Sequence, residues 1–168
     1  MEKQKRKSIR LPDYDYSAPG AYFVTICVHE HKCMLASVKE SSPMERASVR
    51  LTEAGKCADL TLRETAEYHG VRLDSYVIMP NHIHMILFTG VDTSVSLGRF
   101  IGAYKSVAAK RWREYCNRKG MIAGKLWQRN YYDHILRNEA DYLEKRKYIE
   151  DNPDKWSSDD LYTTFSSV

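Results

Sequence analysis

The segment from Tyr76 to Phe88 constrains this chain more tightly than any other stretch of its sequence. Val77-Ile78-Met79 and Met85-Ile86-Leu87-Phe88 are apolar runs, and Pro80-Asn81 between them is a turn signal, so the segment predicts a β-hairpin. Its second strand opens with His82-Ile83-His84. Successive strand side chains point to opposite faces, so His82 and His84 share a face and can aim both imidazoles at one point, which suggests a metal. The pair alone does not make a catalytic site. A strand histidine is often only a satisfied core residue, and a catalytic metal brings a third protein ligand and an open position.

The 168 residues suit one ordinary domain, and 43% hydrophobic with 29% charged residues is a soluble composition. No apolar run is long enough for a bilayer span. The basic start, Met1 to Arg10, runs into Leu11-Pro12-Asp13-Tyr14 instead of an apolar signal core, so a cytoplasmic protein is expected. The expected organisation is a basic arm over 1–20, one domain over 21–156 and a tail over 157–168. Cys27, Cys33, Cys57 and Cys116 form no Cys-x-x-Cys pair, so reduced thiols are expected. A minor rival metal cluster, His29-Glu30-His31-x-Cys33, repeats the histidine spacing where the first strand should run out into a loop.

The net charge is +4, unevenly spread. Lys3, Lys5, Arg6, Lys7 and Arg10 form the arm, while Lys105, Lys110, Arg111 and Arg113 crowd one later helix. Both suit a phosphate backbone, although a solvated tail and an ordinary helix surface would look the same.

Along the chain, Ala21 to Val28 reads as the first strand, followed by an irregular stretch with Ser41-Ser42-Pro43. A helix with Thr52 as N-cap runs to about Tyr68, with Gly70 just beyond it. After the hairpin, a long helix from about Ser96 to Asn117 carries Leu97, Phe100, Ile101, Tyr104, Val107, Ala108 and Trp112 at helical spacing. An aromatic extended segment, Leu126 to Leu136, precedes a last helix that starts at the N-cap Asn138 and ends near Asn152, before Pro153. Strand, helix, two strands, helix, strand is the α+β order βαββαβ of a ferredoxin-like fold: an antiparallel sheet with helices on one face, plus an added C-terminal helix.

That last helix offers the missing chemistry. Tyr142, Leu143, Arg146 and Ile149 fall on one side, and Asp141, Lys145, Tyr148 and Asn152 form an adjoining polar stripe. Four residues apart, Tyr148 can present its hydroxyl beside whatever Asn152 touches. Asn152 could thus be the third, oxygen-donating ligand and Tyr148 a nucleophile. Equally, Tyr148 could pack at the helix border and Asn152 cap the helix.

Met79-Pro80-Asn81-His82-Ile83-His84, the Leu126-to-His134 segment and Tyr148-Ile149-Glu150-Asp151-Asn152-Pro153 together resemble the HUH single-tyrosine transposases. Arg10-Leu11-Pro12-Asp13-Tyr14-Asp15-Tyr16 and the run from Pro19 to Thr25 resemble, more narrowly, the branch associated with repetitive extragenic palindromes, within the IS200-like family. The resemblance implies that His82, His84 and Asn152 bind Mg²⁺ or Mn²⁺, and that Tyr148 is the catalytic residue that nicks and rejoins single-stranded DNA through a 5′-phosphotyrosine. Asn152 stands where the insertion-sequence members carry glutamine. The implied partner is a palindromic DNA hairpin with a single-stranded flank, bound by a monomer or homodimer with no membrane. Candidate DNA contacts are Lys5, Arg6, Lys7, Arg10, Tyr14, Tyr16, Lys105 and Lys110, with Trp127, Tyr131 and Tyr132 as stacking candidates against a core role for Trp127. A domesticated protein that binds hairpin DNA without cleaving it is the alternative.

Overall fold

A computed structural model describes residues 19–40, 42, 44–90, 93 and 95–163. The strand β1, Gly20–Cys27, runs through the middle of the sheet because its β-branched and aromatic residues are buried on both faces. Next come a short hairpin, β2 (Ala36–Lys39) and β3 (Ser48–Leu51), then helix α1 (Glu53–His69) and strands β4 (Arg72–Ile78) and β5 (His82–Thr89). Helix α2 (Leu97–Arg118), strand β6 (Tyr132–Ile135) and helix α3 (Glu139–Asp151) complete the order. The main sheet is β4-β5-β1-β6, antiparallel throughout, so α1 and α2 each join two strands that run parallel but are not neighbours. This is the ferredoxin-like arrangement that the element order predicts.

Alternation along the strands assigns the two faces. Tyr22, Val24 and Ile26 of β1 and Ile83, Met85 and Leu87 of β5 point into the main core with Leu62 of α1 and Phe100, Ile101 and Tyr104 of α2. Phe23 and Ile86 point the other way and pack with Leu136 and with Ile149 of α3. The added helix therefore lies on the face opposite α1 and α2. Its anchoring residue is Ile149, whereas Leu143, expected on its apolar side, is largely exposed.

Local signals place the helix ends. Thr52 Oγ1 accepts from Gly55 N at 3.1 Å, and Gly70 leaves α1 in the left-handed region at φ 67°. Asn138 caps α3 through a 2.9 Å bond from Asp141 N. Several sequence expectations are corrected. The stretch after β1 is not wholly irregular, because it holds the β2–β3 hairpin; its strands are short, half exposed and interrupted by Ser, Glu and Pro, so their alternation is too brief to read. Val107, placed on the apolar stripe of α2, is exposed. Residues 157–163, assigned to a tail, turn at Trp156–Ser158 and return against the start of β5: Leu161 O accepts from Asn81 Nδ2 at 2.7 Å.

Candidate active site

The two-residue turn at Pro80-Asn81 delivers His82 as the first residue of β5, in register with Cys27, while His84 stands opposite Thr25. Both imidazoles are buried on the α3 face, with ring centroids 4.4 Å apart. Each ring has its Nδ1 end occupied. His82 Nδ1 lies 2.8 Å from Asn81 Oδ1, and because an amide oxygen only accepts, that nitrogen carries the proton and Nε2 keeps its lone pair. His84 Nδ1 lies 2.8 Å from Thr25 Oγ1, which can accept in the same way. The Nε2 atoms of His82 and His84 are buried and make no hydrogen bond, and neither does Asn152 Oδ1. Three buried lone-pair atoms without a donor are what a divalent cation would satisfy, so this donor set fits a metal.

Helix α3 brings the remaining groups. Tyr148 is 41% exposed, and its ring meets His84 edge-on at 5.1 Å and Phe23 at 5.9 Å, while Phe23 stacks on His84 at 5.3 Å. Asn152, one turn later, donates from Nδ2 to Asp159 Oδ2 at 3.0 Å, which aims its carbonyl oxygen away from that carboxylate. Asp159 is the residue the sequence reading missed. One ligand atom from each of His82, His84 and Asp159 lies within 4.8 Å of the others. Nothing local marked Asp159, because the turn after Pro153 that returns the chain to the histidines is a tertiary event.

Electrostatics set the protonation states. Burial pushes His82 down to about 4, against the opposing pull of the Asp159 carboxylate. Burial, and then His82, holds His84 well below the ordinary imidazole range. Both rings are therefore neutral donors near pH 7. The Tyr148 phenol is raised, first by burial and then by Asp159 and Asp160, while a hydrogen bond with Asn152 opposes the shift. An unaided Tyr148 is thus harder to ionise than a free tyrosine.

The other sequence candidates fall elsewhere. Among the described residues, the rival His29-Glu30-His31-x-Cys33 forms no converging ligand cluster. It lies in a one-turn helix where Glu30 and His31 take φ of 56° and 52°, and His31 Nε2 instead meets Gln128 Nε2 at 2.8 Å. Trp127 is buried in the core, Tyr131 is half-buried against it and Tyr132 is exposed. Lys105 donates to the carbonyls of Gln128 and Arg129 at 2.6 and 3.0 Å, and Lys110 is exposed 3.9 Å from Glu114. Lys5, Arg6, Lys7, Arg10, Tyr14 and Tyr16 lie outside the described residues.

Fold and site together define a ferredoxin-like domain whose sheet carries a histidine pair served by a tyrosine and a carboxamide from a helix on the same face. Residues 41–152 match the family described as transposase IS200 like, and the chain belongs to that family. An uncharacterised protein of Haemophilus influenzae is 30% identical over 178 residues, covering 94% of this chain and 93% of that protein. A second protein of that organism, named as a REP-associated tyrosine transposase, is 21% identical over 84% of this chain and 74% of its own length. The fold is shared with a REP-associated tyrosine transposase solved bound to a REP hairpin, at TM-score 0.58 and 17% identity over 92% of this chain and 74% of that one. It is also shared with a Deinococcus radiodurans protein described as a transposase, at TM-score 0.54 and 18% identity over 90% and 97% of the two chains.

Proposed function

We propose that this protein is a metal-dependent transesterase that nicks and rejoins single-stranded DNA at palindromic hairpin elements. The observation that carries the reading is the convergence of Tyr148 with the orphaned Nε2 atoms of His82 and His84 and Oδ1 of Asn152. These three donors would hold Mg²⁺ or Mn²⁺, with the Asp159 carboxylate beside them. Such an ion, when bound, supplies positive charge that favours an ionised phenol and polarises a phosphate.

The chain's own residues do the rest. Phe23 and His84 hold the Tyr148 ring edge-on, with Asn152 one turn along the same helix face. The Asp159 carboxylate, whose charge bears on the Tyr148 phenol, would take its proton and return it to the leaving 3′ oxygen. Attack of the Tyr148 oxygen on phosphorus forms the 5′-phosphotyrosine as the bond to the 3′ oxygen breaks, and that oxygen leaves as a 3′-hydroxyl. The ester energy is retained, so the reverse attack rejoins a strand without a nucleotide cofactor. Tyr148 and the histidines meet within one chain, which supports use of Tyr148 in its own subunit. A genomic hairpin as substrate places the work in the cytoplasm, and the basic arm and Lys110 are candidates to grip the DNA.

The test is incubation of the full chain with hairpin DNA carrying a single-stranded flank, in Mg²⁺ or Mn²⁺, followed by a denaturing gel. The expected result is a covalent adduct that Tyr148→Phe abolishes while DNA binding persists, since that change removes only the bond-forming atom. Tyr142→Phe, which loses a 2.9 Å bond to Asp74, should stay active. Cleavage without adduct by Tyr148→Phe would mean a water-using nuclease; binding with no adduct by the wild type would mean a hairpin-binding protein.

A further inference from the structure

We propose that the cleft between α2 and residues 123–129 binds the phosphodiester backbone of the single-stranded DNA flank, a role that rests on the transesterase reading above and adds a substrate channel to it. The cleft measures about 520 Å³ and is lined by Lys105, Arg113, Lys125 and Arg129 with no carboxylate among its lining residues. Pockets of about 300–1,000 Å³ take ligands of a nucleotide or two, not a duplex. Arg113, Lys125 and Arg129 are exposed and form no ion pair among the described residues. On the same helix, by contrast, Lys110 and Arg111 face Glu114 and Glu64. Unpaired cations gathered round one concavity, with an apolar floor of Ala109, Leu126 and Trp127, favour a polyanion that also has apolar faces.

Lys105 has the structural part. Its half-buried ammonium donates to the carbonyls of Gln128, Arg129 and Asn130 at 2.6, 3.0 and 3.4 Å, fixing the loop that presents Arg129. The same loop is tied to the histidine strand's neighbour. Gln128 N donates to Cys27 O at 2.9 Å, Val28 bridges Trp127, and Cys27 is the register partner of His82. The side chains of Gln128 and His31 meet at 2.8 Å, and the His31 carbonyl lies 3.2 Å from Asn81 Nδ2. The loop that presents Arg129 is thus anchored at the same end of the sheet as His82.

The test compares the full chain with the triple variant Arg113→Ala, Lys125→Ala, Arg129→Ala by fluorescence polarisation on two probes. One is a hairpin with a single-stranded flank, the other the same hairpin with blunt ends. The expected result for the flanked probe is a loss of about tenfold or more in affinity, and a slope of log affinity against log salt shallower by about 2, from roughly 0.7 per contact on single strands. Blunt-hairpin affinity should be unchanged. An equal loss on both probes would show a general field and overturn the cleft, as would unchanged affinity and slope on the flanked probe. Saturable calorimetric binding of inorganic phosphate, abolished in the variant while flanked-hairpin affinity stays put, would reassign the cleft to a free anion and likewise overturn it. Wild type that prefers the flanked probe through the cleft yet forms no adduct would sink the transesterase reading and leave the cleft standing.

Discussion

At the scale of single residues, the histidine centre depends on side chains that never touch a reacting atom. Asn81 is fully buried and divides its amide: Oδ1 orients His82, and Nδ2 lies within 3.2 Å of His31 O, Leu161 O and Thr163 Oγ1. It sets the tautomer of one donor and at the same time ties the returning C-terminal segment to the strand. Asn81→Ala should therefore weaken Mn²⁺ binding by about 10–100-fold, the usual consequence of losing the partner that orients a ligand imidazole. It should also cost about 1–3 kcal/mol of stability from the buried groups left unpaired. Calorimetric metal titration beside thermal melting checks both, and an unchanged metal affinity would show that His82 needs no orienting bond. Thr25→Val, which keeps the shape opposite His84 but removes its hydroxyl, should weaken the metal without reshaping the core.

At the scale of elements, α3 is attached by little. Only Ile149 of that helix is buried, in a small cluster with Phe23, Ile86 and Leu136, while α1 and α2 each bury a long stripe. Ile149→Ala should cost about 2–4 kcal/mol and raise amide exchange in α3 more than in β5, because the helix can loosen while the sheet stays paired. Equal exchange in both elements would mean that the helix and sheet open as one unit. The same weakness explains what was legible in the sequence. The β5 strand, the caps at Thr52 and Asn138 and the stripe of α2 are local and periodic, and each stands where its pattern put it, Val107 excepted. Pairing Tyr148 with Asn152 needed only helical spacing. Asp159 and the β2–β3 hairpin were illegible for a shared reason: long-range packing positions both, and neither has a run of alternating residues long enough to announce it.

At the scale of the whole molecule, the buried histidines couple stability to pH and to metal. In the unfolded chain His82 titrates near the ordinary imidazole value of about 6.5, whereas burial lowers it to about 4 in the fold. Between those values the unfolded state binds the extra proton, so stability rises with pH across this window and falls as pH drops from about 6.5 toward 4. The lowered His84 acts in the same direction. Metal should reinforce this dependence, because only neutral imidazoles offer their Nε2 lone pairs and an ion that binds the native state alone stabilises it by mass action. The expectation is that Mn²⁺ raises the melting temperature at pH 7, that the increment shrinks on acidification toward pH 4, and that EDTA abolishes it. His82→Ala should lose the Mn²⁺ increment and also show a flatter melting profile between pH 4 and 6.5 in metal-free buffer, since the group that resists protonation in the fold is gone. Differential scanning calorimetry over that range separates the two effects. A wild-type increment that persisted in His82→Ala would place the stabilising ion away from the histidine strand, whatever the strand's geometry allows.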